Sequence, residues 1–355
     1  MQIEIGTKFT IKSNEISNLL VVLQEMGYQT IGPKIMENTI IYDEIDSMND
    51  LPVGWTDEQE KGSYSLKKTG DNSLFGYTVG PYTWKKYLFP PVESIFKAKK
   101  EGKNFKILEK ENKEVFYAFI GVRACEINAI NIQDKIFIEG EYINPEYKQV
   151  RNNIFIVAVN CSKAGNTCFC LSMEAGPEVK KGYDLLLTEI NNSPKHFFVI
   201  EAGSSKGLEI LQKLEFCIAS VEEISELKKV INSTKKQMGR ELNLPDVKKK
   251  LAESYDNPYW NEIANRCLTC TNCTMVCPTC FCSSVEDVTD LTGEYAERIR
   301  KWDSCFTLDY SYIHGNTVRK TSASRYRQWL THKFSTWIDQ FGVNGCVGCG
   351  RCITW

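Results

Sequence analysis

The N-terminal part of the chain combines one helical pattern with several short apolar runs. Residues Glu15–Met26 carry apolar side chains at helical spacing and precede Gly27, so we predict a helix that ends there. Two later runs, 115–120 and 155–159, are almost entirely apolar, as in strands buried on both faces of a sheet. Runs rich in Val, Ile and Phe predict strands at Thr39–Tyr42, Val115–Val122, Asn153–Asn160, Leu185–Ile190 and Phe197–Ile200. The pattern predicts an α/β domain over residues 1–203.

The remainder of the chain has mainly helical patterns. Residues 204–256 are predicted to form a helical connector, in which Val221, Leu227 and Ile231 share one apolar helix face. A boundary is expected near Asn257-Pro258. Beyond it, Glu294–Trp302 and Ser324–Gln340 are compatible with helices. We therefore predict that residues 257–355 form an α-helical domain.

The composition is that of a globular protein without strong electrostatic preferences. Of the 355 residues, 42% are hydrophobic, and the formal net charge of −2 favours neither nucleic acid nor a membrane surface as a partner. No apolar run is long enough for a membrane span, and the polar N-terminus lacks the apolar core of a signal peptide. We therefore expect a cytoplasmic location.

Cysteine is the unusual component of the sequence. There are 15 cysteines, and most of them lie between Cys267 and Cys352. The length, the odd count and the lack of a signal sequence argue against a disulfide framework. In a reducing compartment, clustered cysteines are expected to be metal ligands.

The first cysteine motif has the spacing of a ferredoxin. The segment Cys267-Leu-Thr-Cys270-Thr-Asn-Cys273-Thr-Met-Val-Cys277-Pro278 matches the pattern C-x2-C-x2-C-x3-C-P. Three thiolates on one tight loop can surround one side of a 4Fe–4S cluster, while the fourth reaches the other cluster of a two-cluster ferredoxin. Zinc sites instead use paired C-x2-C units. The pattern therefore favours an iron–sulfur cluster over zinc.

The second motif stops before its expected fourth cysteine. Cys346, Cys349 and Cys352 have the spacing C-x2-C-x2-C, and the sequence ends at Trp355. With helix-compatible segments between the two motifs, residues 257–355 are predicted to form an α-helical ferredoxin-like dicluster domain. Under the crossed ligation of two-cluster ferredoxins, Cys277 completes the cluster of this second motif. The cluster of the first motif then lacks its fourth ligand. We favour truncation of the chain as the explanation, with a substitute cysteine ligand or a three-iron cluster as alternatives.

Three further cysteines lie close to the first motif. Cys280 and Cys282 follow it directly, and Cys305 comes later in the chain. They are candidates for substitute ligands or for ligands of an additional metal centre. The alternative is that they are small buried residues beside the clusters.

The N-terminal domain has its own set of cysteines. Cys125 and Cys161 each follow a predicted buried strand, and Cys168 and Cys170 come soon after. If the two strands are parallel neighbours, both cysteines lie at one edge of the sheet, where α/β proteins form their sites. Four thiolates could then bind another 4Fe–4S cluster. Cys217, in an apolar stretch, is predicted to be a core residue.

The sequence contains no motif for nucleotide binding or for a histidine-based metal site. The chain has no G-x-G-x-x-G or Walker motif, so no nicotinamide or flavin site is predicted. The segment Gly203–Gly207 contains glycine and lysine but lacks the spacing of a phosphate-binding loop, so we interpret it as a loop that leads into a helix. The three histidines of the chain are far apart in the sequence, which disfavours a histidine-based metal site. The segment Arg319–Lys333 is basic and contains no acid, which indicates a solvated helix face or, less readily, a surface that docks an acidic partner. No catalytic residue is predicted.

With these motifs in view, the sequence resembles the beta subunits of cytoplasmic sulfhydrogenases, and more distantly the A subunit of anaerobic sulfite reductases. The similar segments are residues 80–91, 121–130, 160–177, 267–306 and 325–355. The resemblance implies an electron-transfer subunit with two 4Fe–4S clusters. It also implies two partners, a subunit that binds FAD and NAD(P) and a catalytic subunit, often a nickel–iron hydrogenase or a sulfur-reducing enzyme.

The sequence therefore leads to one main hypothesis and two alternatives. The main hypothesis is an iron–sulfur electron-transfer subunit of a hydrogenase or sulfur-reducing complex. The first alternative is the A subunit of an anaerobic sulfite reductase. The second is a zinc-stabilised scaffold without redox activity, which would be colourless and contain no sulfide.

Overall fold

The computed structural model describes residues 4–109, 114–192, 195–243 and 246–355. The strands are β1 (Lys8–Lys12), β2 (Gln29–Met36), β3 (Thr39–Glu44), β4 (Trp55–Glu60), β5 (Ser63–Lys68), β6 (Val92–Glu101), β7 (Asn104–Leu108), β8 (Tyr117–Val122), β9 (Ile154–Val159), β10 (Leu185–Asn192), β11 (Lys195–Ala202), β12 (Cys217–Ile218), β13 (Ser283–Thr289), β14 (Tyr295–Trp302), β15 (Tyr312–Ile313) and β16 (Asn316–Thr317).

The helices are α1 (Glu15–Glu25), α2 (Lys85–Leu88), α3 (Ala124–Phe137), α4 (Pro145–Asn152), α5 (Ser205–Leu211), α6 (Val221–Lys236), α7 (Val247–Glu253), α8 (Tyr259–Ala264), α9 (Asn272–Met275), α10 (Ser322–Thr331), α11 (Trp337–Phe341) and α12 (Arg351–Thr354). A 3-10 turn spans Met48–Asp50, and a π-helical turn spans His332–Thr336. The helices of the described residues are all too short or too polar to span a membrane.

The chain divides into two compact units, each built from separate segments. The first unit comprises Met1–Trp84, Val115–Pro245 and Cys346–Trp355, and the second comprises Lys85–Glu114 and Asp246–Gly345. The predicted domain limits, at 1–203, 204–256 and 257–355, do not coincide with these units. The difference arises because the last ten residues and the β6–β7 region pack with parts of the chain that are remote in sequence, which local patterns do not reveal.

An eight-stranded mixed sheet forms the centre of the first unit. Its strand order is β12-β1-β11-β10-β9-β8-β2-β3. The four strands β2, β8, β9 and β10 run parallel to one another, and the outer strands pair in antiparallel fashion. Each of the five predicted strands corresponds to a strand of this sheet. The N-terminal sheet expected from the sequence is therefore confirmed.

The core of the first unit lies against this sheet. All six residues of β9 are buried, as the apolar run predicted for a strand covered on both faces. The predicted N-terminal helix is confirmed as α1, whose Leu19, Leu20 and Leu23 belong to the main core cluster. Gly27 follows the helix with φ of +86°, a conformation that suits glycine at a helix end. The helical spacing of the apolar residues thus determined which face of α1 is buried.

The second unit contains a four-stranded antiparallel sheet, in the order β13-β14-β6-β7. The prediction of a helix at Glu294–Trp302 is wrong, because this segment forms β14 and pairs with β13 and β6. Because β6 lies far from β14 in the sequence, a local pattern of residues could not predict that the two strands pair. The helical prediction for Ser324–Gln340 is confirmed by α10, the π-helical turn and α11. Residues 257–355 thus contain both strands and helices, and a purely α-helical description is not confirmed.

Two smaller predictions have different outcomes. The loop at Gly203–Gly207 leads into a helix as predicted, because the Ser204 hydroxyl accepts a hydrogen bond from the Gly207 amide at 3.0 Å and caps α5. Cys217 is exposed on the short edge strand β12, so its assignment to the core is wrong. Both residues of this two-residue edge strand, which pairs with β1, are exposed, so Cys217 itself lies outside the core.

Candidate iron–sulfur sites

In the first unit, two neighbouring parallel strands bring Cys125 and Cys161 to the same edge of the sheet. Strands β8 and β9 pair in parallel, with Ile120 opposite Val157. Cys125 lies in the first turn of α3, directly after β8, and Cys161 follows β9. The carboxyl ends of parallel strands are where α/β folds form their sites. The predicted placement of these two cysteines is confirmed.

Five cysteines of the first unit line a single small cavity of about 20 Å³. They are Cys125, Cys161, Cys168, Cys170 and Cys349. The first four are the N-terminal cysteines that the sequence grouped together. Cys349 belongs to the second ferredoxin motif, and its presence here was not predicted. Thiols of Cys125, Cys170 and Cys349 are buried, and the cavity walls are almost entirely apolar apart from the sulfur atoms and two cations.

The C-terminal segment reaches this cavity by packing on the loop that carries Cys168 and Cys170. The Phe169 amide donates a hydrogen bond to the Gly348 carbonyl at 2.9 Å. Gly348 has φ of +64°, and a Cβ atom on it would lie 2.6 Å from the Phe169 backbone. The hydroxyls of Thr167 and Thr354 lie 2.8 Å apart and are buried. A glycine is therefore required where the second motif meets this loop.

A buried ion pair joins the second motif to the helix that carries Cys125. Arg351 lies next to Cys352, and its Nη2 atom donates to the Glu126 carboxylate at 2.5 Å, with both side chains at most 1% exposed. The same carboxylate accepts hydrogen bonds from the Tyr42 hydroxyl, the Trp84 indole and the Arg123 amide, at 2.9, 3.0 and 3.1 Å. These hydrogen bonds offset the free-energy cost of burying the negative charge of Glu126.

Burial keeps the thiols of this cavity protonated when no metal is bound. It raises the pKa of Cys125 well above the usual value and raises that of Cys168 to about 12. For Cys161 the pKa is also raised by burial, while the positive charge of Arg123 acts in the opposite direction. Because thiolates are the metal ligands, binding of a metal here must displace protons.

In the second unit, the cysteines of the first motif lie together around a short loop and α9. Thr269 and Thr271, between the cysteines, have positive φ values of +52° and +70°. The pKa of Cys273 is raised to about 12, first by burial and then by the negative charges of Cys277, Cys267 and Cys270. These three cysteines therefore lie near Cys273, and the division of the four thiols between two clusters stays a prediction.

The three extra cysteines are close to the first motif, and two of them are paired. A hydrogen bond with the Cys305 thiol lowers the pKa of Cys282 to about 6, and the pKa of Cys305 is raised chiefly by the same bond. The β13–β14 pairing explains this contact, because Ser283 lies opposite Trp302 and the Asp303 amide donates to the Cys282 carbonyl at 2.8 Å. The charge of Cys273 also acts on Cys305.

Two buried lysines accompany these cysteines, and sequence analysis did not identify them as part of a site. The Lys333 ammonium donates to Thr279 Oγ1 at 2.6 Å and lies 3.4 Å from Cys277 Sγ. The interpretation of residues up to Lys333 as a solvated helix face is therefore wrong at that residue, which is 4% exposed. Lys85 donates to the Cys280 carbonyl at 3.0 Å, and burial lowers its pKa to about 8. In the sequence both lysines resemble ordinary surface cations. Their burial depends on tertiary packing, which local patterns do not reveal.

The donor atoms of both units fit a sulfur-ligated metal centre. All the candidate ligands are thiols, the ligands that hold iron–sulfur clusters and structural zinc. Among the described residues, no three His, Cys, Asp or Glu side chains converge closely enough to hold a single metal ion. Cys277 lies in the second unit, whereas Cys346, Cys349 and Cys352 lie in the first. The crossed ligand set of these four cysteines stays a prediction.

Comparison with known proteins now adds to this geometry. Residues 266–355 match the family described as 4Fe-4S dicluster domain. These residues are thus similar to a 4Fe-4S dicluster domain. Both ferredoxin motifs lie within this dicluster domain, so the matched family accounts for the spacing of their cysteines. The dicluster domain implies iron–sulfur clusters as cofactors.

A curated relative extends the similarity to nearly the whole chain. The chain is 28% identical over 335 residues to the beta subunit of sulfhydrogenase 2 from Pyrococcus furiosus, and the match covers 93% of this chain and 88% of the relative. The resemblance to sulfhydrogenase beta subunits is thereby confirmed. No solved structure gives a significant match. The chain is thus similar, over nearly its whole length, to a protein named as a hydrogenase subunit.

Proposed function

We propose that this protein is the electron-transfer subunit of a cytoplasmic oxidoreductase complex. In this complex it relays electrons between a subunit that binds FAD and NAD(P) and a nickel–iron hydrogenase or sulfur-reducing catalytic subunit. The single observation that carries the proposal is the dicluster domain at residues 266–355. The similarity to a protein named as a sulfhydrogenase subunit supports the choice of partners.

The cysteines of the two motifs are the proposed cluster ligands. Bound 4Fe–4S clusters supply one-electron redox chemistry, and the protein sets their potential through charge, hydrogen bonds and burial. Of the extra thiols, we favour Cys305 as the one that completes the ligand set of the first motif, because it lies near Cys273. The chain provides ligands, buried cations and a water-poor surrounding.

Metal analysis of the chain tests this proposal. The chain is purified without oxygen, iron and acid-labile sulfide are counted, and the dithionite-reduced protein is examined by EPR. We expect about eight irons per chain or more, with signals of interacting 4Fe–4S clusters. Zinc without sulfide would contradict the proposal and would favour a zinc-stabilised scaffold.

The partners are tested separately from the clusters. The complex is isolated from its native source, and its other subunits are identified. Large and small hydrogenase subunits together with a flavoprotein would support the proposal. A siroheme-containing subunit would instead favour the sulfite reductase alternative.

A further inference from the structure

Four cysteines that belong to neither ferredoxin motif share one cavity of the first unit. Cys125 lies at the start of α3, Cys161 follows β9, and Cys168 and Cys170 lie on one loop. Three separate parts of the sequence thus supply thiols to one small space. Cysteines kept only as apolar filler need not meet in this way.

The backbone near these thiols leaves room for their sulfur atoms. A Cβ atom on Gly176 would lie 3.2 Å from Cys170 Sγ and 3.2 Å from the Ala124 Cβ atom. On Gly165, a Cβ atom would lie 3.6 Å from Cys168 Sγ. The contact at Gly165 would be an ordinary van der Waals contact, whereas the one at Gly176 is tight, so the glycine at position 176 allows the chain to pass close to the Cys170 sulfur atom.

A buried guanidinium faces the cavity with one hydrogen-bonding group unused. Arg123 is 1% exposed and lines the cavity. Its Nη2 atom donates to the carbonyls of Phe75 and Tyr77, at 2.9 and 3.2 Å. Its Nη1 atom has no hydrogen-bond partner among the residues that the structure describes. A buried donor without a partner is costly, and an anionic group in the cavity would satisfy it.

The thiols of this cavity are not arranged to hold a single metal ion. In the described part of the chain no three potential ligands converge on one point for a single ion, although these cysteines line the same cavity. A cubane cluster places each thiolate on a different iron atom and so holds its ligands farther apart. The cavity itself is small, about 20 Å³, so the thiols must turn about their side-chain torsions to admit a cluster.

We propose that Cys125, Cys161, Cys168 and Cys170 bind a third 4Fe–4S cluster, and that Arg123 compensates its negative charge. The fifth cysteine of the cavity, Cys349, then serves the second motif. Cys168 Sγ lies 3.9 Å from the Cys349 carbonyl oxygen, so the third cluster would be an immediate neighbour of the cluster held by that motif. The proposal goes beyond a two-cluster relay, because it extends the iron–sulfur centres into the N-terminal sheet.

Iron counting on variants of the full-length protein tests this site. In the double variant Cys168→Ala/Cys170→Ala, two ligands are lost and a cluster cannot be retained. We expect about twelve irons in the wild type and about eight in this variant. The matched control is Cys217→Ala, an exposed cysteine of the same unit, which should keep about twelve. Circular dichroism of each variant verifies that the sheet is formed.

A second variant tests the site by the iron that it retains. The combined variant Cys267→Ala/Cys270→Ala/Cys346→Ala/Cys352→Ala removes ligands from both motifs and leaves the four N-terminal cysteines intact. It should retain about four irons and show the EPR signal of an isolated cluster after reduction.

Other results would overturn the third cluster. About eight irons in both the wild type and Cys168→Ala/Cys170→Ala would contradict it while leaving the two-cluster function intact. Loss of one zinc ion per chain in that variant, with iron unchanged, would identify a zinc site instead. About four irons in the wild type and none in Cys168→Ala/Cys170→Ala would support the third cluster and contradict the two-cluster function.

Discussion

At the scale of single residues, buried charges surround the cysteines. In the first unit, Glu126 accepts four hydrogen bonds, one of them from its ion-pair partner Arg351, and Arg123 faces the cysteine cavity. In the second unit, Lys333 and Lys85 lie among Cys277, Cys280 and Cys282. Removing a charged group from water costs free energy, which an oppositely charged neighbour can offset. An iron–sulfur cluster with thiolate ligands is such a negatively charged neighbour. The cations therefore fit sites that carry negative charge.

The Lys333 ammonium should raise the reduction potential of the cluster that Cys277 ligates. Replacing it in Lys333→Gln removes the positive charge but keeps a hydrogen-bond donor for Thr279. Because reduction adds negative charge, we expect the potential to fall by on the order of 100 mV, from Coulomb interaction at an effective dielectric constant of about 20. EPR-monitored redox titration measures the shift.

The control for this variant is Lys248→Gln, which removes an exposed lysine from the same unit. Its potential should stay within experimental error of the wild type, because solvent screens the charge. An unchanged potential in Lys333→Gln with full iron content would show that this charge does not act on a cluster.

At the scale of elements, two long-range pairings arrange the thiols. The β13–β14 hairpin brings Cys282 and Cys305 together, because its two strands start and end beside them. The segment that contains α12 places Cys349 beside the loop of Cys168 and Cys170. Both contacts depend on backbone pairing rather than on the cysteines themselves.

Gly348→Ala should disrupt the packing of the C-terminal segment. The new Cβ atom would lie 2.6 Å from the Phe169 backbone, at a φ of +64°. The matched control is Gly27→Ala, which has a similar φ of +86° but open space around it. We expect Gly348→Ala to lower the free energy of unfolding by roughly 1–3 kcal/mol more than the control, because only it adds a clash.

Urea unfolding of the first unit and iron content provide the two measurements for Gly348→Ala. A loss of iron together with stability would indicate that the segment positions Cys349 as a ligand. Equal unfolding free energies for the two variants would mean that Phe169 and Gly348 do not pack as described.

At the scale of the whole molecule, the two units differ in their apolar cores. The first unit has a large cluster of buried residues on its sheet, which includes Phe155, Val157 and Ile200. In the described residues of the second unit, buried large apolar side chains are few, among them Trp260, Phe306 and Trp337. We therefore expect bound metal to contribute more to the stability of the second unit than to that of the first.

Removal of iron and sulfide should therefore unfold the second unit before the first. Hydrogen exchange followed by mass spectrometry compares the protein before and after treatment with a chelator and an oxidant. We expect β14 to lose its protection, while β9 keeps most of it, because β9 lies in the large core. Retained protection of β14 in iron-free protein would contradict the dependence on metal.

The sequence by itself determined the features that depend on near neighbours in the chain. Cysteine spacing from Cys267 to Cys277 indicated a cluster-binding loop, and residues 266–355 match the 4Fe-4S dicluster domain family. Apolar periodicity located α1 and the five strands, and the two buried runs placed Cys125 and Cys161 at one sheet edge. These features follow from local spacing, which fixes which side chains share a face or a loop.

Only the tertiary structure decided how remote segments meet. It placed Cys349 with the N-terminal cysteines, paired β14 with β6, buried Lys85 and Lys333, and left Cys217 exposed. The same local pattern of charged and apolar residues can lie in a helix, an edge strand or a central strand. Which of these forms depends on long-range pairing and burial, whose free energies no short segment contains.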